Sequence, residues 1–245
     1  MKIVILLLAS VLLIAGVVYF IRTKPFYNPA MRESTAGQQR EMPDSAVNFG
    51  YKCMWIAVKT GQKEKIAELL GIKNTSPCNW KHGIDWAYNN KIFISPQAGE
   101  WTLVVGWGLT HTGFNSELEE IGSFKDKINK LSKVFGEAQF FVSQRIAEYH
   151  LWARSVSGQT TRLYCYMGEK GENMAIEGEP TAFEKKYKLI NTFSEEAKDE
   201  HYFERTDIEV PDETFVMKLA GNWSIDPTTL EQRKDIAPGL GLLGK

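Results

Sequence analysis

The side chains of this 245-residue chain that could support nucleophilic or metal chemistry are four histidines and three cysteines. Two of them, Cys165 and His150, are spaced so that a hairpin could bring them together. If Ser157 and Gly158 form a two-residue turn between two strands, His150 lies directly opposite Cys165. An imidazole beside a thiol can take its proton, and the resulting thiolate is a nucleophile. Cys165 and His150 are therefore the catalytic candidates that the sequence offers.

The ordinary interpretation of the same two residues is structural. Cysteine is among the most buried residue types, and a histidine on a strand is usually a satisfied polar group. A slip of one residue in the strand pairing would place His150 and Cys165 on opposite faces of the sheet. Because no third group that would orient His150 can be assigned, we assign no catalytic residue and keep the pair as an alternative.

No metal or cofactor site is expected. Cys78 and His82 are four residues apart, which would place both on one face of a helix, but no second pair of ligands with suitable spacing is visible. The tail GLGLLGK carries Gly239, Gly241 and Gly244 in a G-x-G-x-x-G pattern, and a dinucleotide site needs a helix after these glycines. Because only one residue follows, we interpret the tail as a flexible end.

The charge balance argues against a nucleic-acid partner. Lys and Arg number 29 against 30 Asp and Glu, which gives a net charge of -1, and the basic residues form no dense cluster. The stretch EEAKDEHYFE is acidic, and we expect a solvated loop or exposed helix there, with a patch for a basic partner as the alternative. Most of the seven tryptophans are expected in the core.

The apolar run from Ile3 to Ile21 predicts where the protein is located. It carries no charged residue, and a helix of this length just crosses a hydrocarbon core of about 30 Å. It lacks a small-residue cleavage site, which favours a retained single-pass anchor over a signal peptide. Arg22 and Lys24 follow the run, so the positive-inside rule favours the cytoplasmic side for the body. The opposite orientation remains an alternative, because only two residues precede the run.

The remaining sequence divides into a linker and one domain. We expect the anchor over residues 1–24, a polar linker over 25–47, and a single globular domain over 48–245. The segments AQFFVSQR, EYHLWARSVS and TTRLYCYMG read as successive strands, and NWKHGIDWAY, SFKDKINKLSKVFG, TAFEKKYKL and PDETFVMKLA read as helices, the second with Ser123 and Asp126 as its capping box. The fold class is therefore predicted to be α+β, with a largely antiparallel sheet and packed helices.

Several segments of the body resemble a family of uncharacterised bacterial proteins. They are NWKHGIDWAYNNKIFISPQAGEWTLVVG, RIAEYHLWARSVSGQTTRLYCY, GEPTAFE and NWSIDPTTLE. The shared pattern is Trp-Gly, a Pro before a Gly-x-Trp strand, and a Trp-Ala strand that leads into an Arg-rich hairpin. The resemblance covers most of the body and not the anchor. It implies a bacterial origin and brings neither an activity nor catalytic residues.

These observations predict a non-enzymatic, single-pass membrane protein. The lipid bilayer would hold the N-terminal helix, and the α+β domain would bind another protein, as an immunity or envelope-associated factor. Two alternatives remain open. One is a membrane-tethered enzyme that uses Cys165 and His150, and the other is a structural envelope component with no saturable partner.

Overall fold

A nine-stranded sheet forms the centre of the computed structural model, which describes residues 40–110 and 117–245. The strands are β1 (Cys53–Val58), β2 (Ser76–Asn79), β3 (Ile92–Ile94), β4 (Thr102–Val105), β5 (Glu137–Gln144), β6 (Tyr149–Val156), β7 (Gln159–Met167), β8 (Glu172–Glu177) and β9 (Leu240–Gly244). Their order in the sheet is β2-β9-β3-β4-β1-β5-β6-β7-β8. Every neighbouring pair is antiparallel, which confirms the predicted sheet type.

Helices cover both faces of the sheet. The α-helices of the body are α1 (Lys63–Leu70), α2 (Trp80–Ala87), α3 (Glu117–Phe135) and α4 (Glu213–Trp223). Short 3-10 helices lie at Trp107–Leu109, Glu184–Lys186, Glu195–Lys198, Tyr202–Glu204 and Pro227–Gln232. The predicted α+β class is therefore confirmed for the body.

Two separate apolar cores follow from this layering. On one face, called the α3 face, helices α1 and α3 pack on strand residues such as Ile56, Phe140 and Leu151. On the other, called the α4 face, helices α2 and α4 pack on residues such as Trp55 and Trp152. Because both faces are covered, successive residues of a strand are buried, and all six residues of β1 are buried. Its continuous apolar sequence, CMWIAV, is typical of a strand covered on both sides.

The body begins before the domain boundary that the sequence predicted at residue 48. Asp44 caps α2, since its carboxylate accepts hydrogen bonds from the backbone N–H groups of Trp80 at 2.6 Å and Lys81 at 3.0 Å. Ala46 is buried in the core of the α4 face. Residues 44–47, assigned above to the linker, are therefore part of the compact unit Arg40–Lys245.

The expected N-terminal anchor, residues 1–24, lies outside the described residues. Among the helices that the structure does describe, none has both the length and the hydrophobicity that crossing a membrane requires.

The C-terminal tail was wrongly predicted as flexible. Residues Leu240–Gly244 form β9, which lies between β2 and β3 inside the sheet. The glycines serve packing: a Cβ atom on Gly241 would stand 2.2 Å from the Ile94 carbonyl oxygen and 2.5 Å from the Phe93 ring. The pattern that resembles a dinucleotide motif is therefore a strand whose neighbours approach too closely for a side chain.

Three helix predictions have different outcomes. The PDETFVMKLA helix is confirmed as α4, capped by Asp212, whose carboxylate accepts from the Phe215 N–H at 2.7 Å. The capping box at Ser123 was wrong, because α3 already begins at Glu117 and the Ser123 hydroxyl accepts from the Lys127 ammonium. The predicted TAFEKKYKL helix is only a short 3-10 turn, Glu184–Lys186.

Candidate functional site

The hairpin between β6 and β7 has the predicted turn but not the predicted pairing. Ser157 and Gly158 both have positive φ, 50° and 87°, as a type I′ turn requires. Val156 pairs with Gln159, and a bulge then shifts the register so that Arg154 pairs with Arg162 rather than with Thr161.

The shift separates the two catalytic candidates. His150 pairs with Tyr166, and Cys165 pairs with Leu151. Side chains alternate along a strand, so Cys165 lies in the core of the α3 face while His150 is on the α4 face. The predicted juxtaposition of His150 and Cys165 is therefore wrong by one residue.

The bulge lets the hairpin satisfy polar groups on both faces. Near the turn, the hydroxyls of Ser155 and Thr160 donate to the Asn129 side-chain oxygen of α3, at 2.6 and 2.9 Å. Arg162 lies two residues after Thr160 on β7, and its side chain points to the α4 face. There it forms an ion pair with Glu184 at 2.7 Å. An extra residue in β7 makes both contacts compatible, and local pattern gave no sign of it.

Burial shifts the pKa values of Cys165 and His150 in opposite directions, and each shift favours the uncharged form at neutral pH. Burial raises the pKa of the Cys165 thiol to about 12, so the thiol stays protonated at neutral pH. Burial also lowers the pKa of His150 to about 4, so its imidazole is neutral. Cys53 and Cys78 are likewise buried free thiols.

His150 belongs to a row of polar side chains that crosses three strands. Ser143 on β5 lies directly opposite His150, and Cys53 on β1 lies opposite Ser143. Ser143 is fully buried, and neither its hydroxyl nor His150 Nδ1 has a hydrogen-bond partner among the described residues. Because Ser143 is sealed from solvent, a substrate could not reach it as a nucleophile. The row instead marks a place where buried polar groups remain unsatisfied.

A hollow of about 340 Å³ opens over His150 at the N-terminus of α4. It is lined by Arg145, Glu148, His150, Val210, Pro211, Asp212, Glu213 and Thr214. The chain brings these residues together from β6, from the β5–β6 connection and from the start of α4. His150 itself is only 3% exposed.

A second hollow of about 480 Å³ adjoins the first. It is lined by Tyr51, Lys52, Tyr88, Arg145, Glu213 and Thr214, so the last three residues belong to both hollows. The Tyr88 hydroxyl donates to the Tyr51 carbonyl oxygen at 2.8 Å, which fixes one wall. We call the two hollows together the α4 cleft.

The charge changes sign along the α4 cleft. The first hollow carries the carboxylates of Glu148, Asp212 and Glu213 against one cation, Arg145. The second carries Lys52 and Arg145 against Glu213 alone. The cleft is therefore acidic over His150 and basic towards Tyr51.

Several charged or polar groups of the α4 cleft have no partner within the described residues. Glu213 Oε1 is buried without a hydrogen bond, as is His150 Nδ1. The side chains of Arg145 and Lys52 make no ion pair or hydrogen bond there either. A buried polar atom without a hydrogen-bond partner costs about 1–3 kcal/mol, so Glu213 Oε1 and His150 Nδ1 are the two atoms of the cleft for which a contact from outside the described residues would be favourable.

A third hollow, of about 470 Å³, is built differently. Its charged residues include Arg162 and Glu184, which are almost fully buried. The Glu184 carboxylate also accepts from Trp152 Nε1 and from the Thr181 N–H, each at 2.8 Å. Because this carboxylate is satisfied, we interpret the pair as a structural tie between the loop and the sheet.

The acidic stretch EEAKDEHYFE is solvent-exposed over most of its length, as predicted. It forms the 3-10 helices Glu195–Lys198 and Tyr202–Glu204. Part of its charge is neutralised within the protein, because Glu196 pairs with Lys188 at 3.2 Å and with Arg205 at 2.7 Å. These contacts leave it a weaker candidate for a basic partner than the α4 cleft.

Within the described residues, no group of three or more His, Cys, Asp or Glu side chains is placed to hold a metal ion. Cys78 lies on β2 and His82 on α2, where the His82 ring contacts Asn79 Oδ1 at 2.9 Å.

Comparison with protein-family models, with curated proteins and with solved structures found no match to this chain. The candidate site therefore depends on geometry alone. The sequence pattern points to His150 but not to Ser143, which lies opposite it, or to Glu213, which lines the same hollow. Ser143 and Glu213 show no local motif, because they lie on separate elements, β5 and α4, whose packing cannot be predicted from the sequence pattern.

Proposed function

We propose that this protein is a membrane-tethered binding domain that docks a protein partner at the α4 cleft. The apolar segment Ile3–Ile21 would be the tether, and the body would lie on the cytoplasmic side. The described body would present the cleft to a partner at or near the bilayer. A role as an immunity or envelope-associated factor fits this arrangement.

The observation that carries the proposal is the pair of unsatisfied buried groups in one cleft. His150 Nδ1 and Glu213 Oε1 come from different elements, and both residues line the first hollow. Buried polar atoms are nearly always paired in folded proteins, and exceptions call for an explanation. A partner that supplies the missing contacts is such an explanation.

Exposed apolar side chains around the cleft favour a protein over a small molecule. Tyr51 is 48% exposed, Tyr88 38% and Val210 51%, and Ile146, the neighbour of Arg145, is 78% exposed. Aromatic and aliphatic groups of this kind form the centre of protein interfaces, with charged groups giving specificity.

The enzyme alternative loses its named pair, because Cys165 and His150 lie on opposite faces of the sheet. No observation in the described residues favours a purely structural role over docking.

Site-specific photo-crosslinking of the full-length protein in cells tests the proposal. A photoreactive amino acid at Val210 should give a discrete protein adduct, whereas one at Val134 should not. The two valines are equally exposed, at 51%, but Val134 lies on α3, away from the cleft.

A second replacement tests whether the adduct reports one docking face. Tyr51→Ala, at the far end of the cleft, should reduce the Val210 adduct several-fold. Phe203→Ala, which removes a 64% exposed ring elsewhere, should leave it unchanged. Equal adducts from Val134 and Val210, or none from Val210, would contradict the proposal.

A further inference from the structure

Resting on the proposed function, we infer that the first hollow of the α4 cleft receives an arginine side chain of the protein partner. The guanidinium would lie among His150, Asp212 and Glu213, and its aliphatic stem would contact Val210 and Pro211.

The unsatisfied groups call for a donor. An ionised carboxylate can only accept hydrogen bonds, so Glu213 Oε1 requires an N–H or O–H group. A neutral imidazole has one ring nitrogen that accepts, and the His150 ring forms no hydrogen bond within the described residues. His150 is only 3% exposed and lines the hollow, so a ligand would reach its ring from the hollow.

The charge of the hollow selects a cation. Three carboxylates, those of Glu148, Asp212 and Glu213, face it against the single guanidinium of Arg145. A helix N-terminus by itself favours an anion. Here Asp212 already caps α4, and the surplus of two negative charges outweighs the helix dipole. An anionic ligand is therefore disfavoured in this part of the cleft.

An arginine fits the hollow better than a lysine. Its planar guanidinium has five N–H donors in a fixed arrangement and is weakly hydrated, so it can serve acceptors on two walls when buried. Apolar side chains beside the acceptors match a long aliphatic stem with a charged end. Arginine is also enriched among the residues that dominate protein interfaces.

A binding measurement with small probes tests the anchor directly. The full-length chain in nanodiscs, labelled with ¹⁵N in histidine, is titrated with N-acetyl-arginine amide and, separately, with N-acetyl-citrulline amide. The arginine probe should shift the His150 resonances with a millimolar dissociation constant. The citrulline probe is nearly isosteric but uncharged, and it should bind at least tenfold more weakly.

Two variants connect the binding to the named residues. Glu213→Gln keeps the shape of this half-buried first-turn residue, and it should weaken the arginine probe at least fivefold. Asp85→Asn, at a 61% exposed carboxylate on α2, should have no effect. Equal binding of both probes would overturn the inference. Binding seen only in Arg145→Gln would also overturn it, because the hollow would then belong to the chain's own arginine.

The inference and the proposed function fail in different ways. If the arginine probe does not bind but the Val210 adduct still forms in cells and survives Glu213→Gln, the docking face stands and the arginine anchor is wrong. If the probe binds to the first hollow but Val210 gives no protein adduct, the cation site stands and protein docking is wrong.

Discussion

His150 and Cys165 lie on neighbouring strands with their side chains on opposite faces of the sheet. The bulge between the pairs Ser155–Thr160 and Arg154–Arg162 causes this separation, since without it His150 and Cys165 would pair directly. Because of this separation, Cys165 and His150 cannot form a thiol–imidazole dyad, and His150 instead lines the α4 cleft. It also makes the reactivity of Cys165 a sharp test of the strand register.

Cys165 should react slowly with a thiol-alkylating reagent in the native protein at pH 7. Burial holds its pKa near 12, and the reagent reaches it only when the α3 face opens. His150→Ala should not lower the labelling rate, because the imidazole lies across the sheet. The measurement is mass spectrometry of the Cys165 peptide over time, with denatured protein as the fully reactive control. Rapid native labelling that His150→Ala abolishes would show that the register is wrong.

The buried pair Arg162–Glu184 should be far more important for stability than an exposed pair. Glu184→Ala leaves an uncompensated guanidinium in the core, and such a loss costs roughly 3–5 kcal/mol. Asp85→Ala breaks an ion pair with Lys81 on the surface and should cost less than about 1 kcal/mol. Urea unfolding of the two variants gives the comparison. Similar midpoints for both would contradict the structural role of Glu184.

His150 should make the folded state less stable as the pH falls from 6.5 to 4. Its pKa is about 4 in the folded chain and near 6.5 when unfolded, so the unfolded state binds more protons in this window. The full effect is roughly 3 kcal/mol, at 1.36 kcal/mol per pKa unit.

The matched control for this pH dependence is His150→Phe. The groups facing His150 in the cleft, Arg145, Glu148, Asp212 and Glu213, are the same in both proteins, so the difference between their unfolding free energies isolates the imidazole. Denaturant unfolding at several pH values measures it. A difference that stays constant from pH 7 to pH 4 would contradict the buried, neutral state of His150.

Gly241→Ala should destabilise the body by about 2 kcal/mol, because its Cβ would collide with backbone and ring atoms of β3. Gly122→Ala, on α3, meets nothing within 4 Å and should stabilise by about 0.5–1 kcal/mol. Thermal or urea unfolding measures both. If Gly241→Ala were neutral, the C-terminal segment would not be an inner strand.

The sequence predicted the elements whose signals are local. Apolar spacing and a start with Pro and two acidic residues identified α4, and a Ser-Gly pair identified the turn between β6 and β7. The α+β class followed from strands that succeed one another directly. These signals depend on residues within about ten positions of each other, where propensity and capping act.

Features that depend on distant partners could not be predicted in this way. The tail became β9 because Gly241 fits against Phe93, which lies far away in the chain. The hairpin register depends on Asn129 of α3 and on Glu184 of a later loop. The residues of the α4 cleft likewise come from several elements that are distant in the chain. Of these residues, the sequence pattern indicated only His150 as a candidate.

The most direct test of the central claim is to identify the partner residues joined to a photoreactive group at Val210. The account predicts a single partner protein whose crosslinked peptide contains an arginine. Replacing that arginine by Glu should abolish the adduct, and Glu213→Arg should restore it. A crosslinked peptide without an arginine, or an adduct that both charge reversals leave unchanged, would contradict the account.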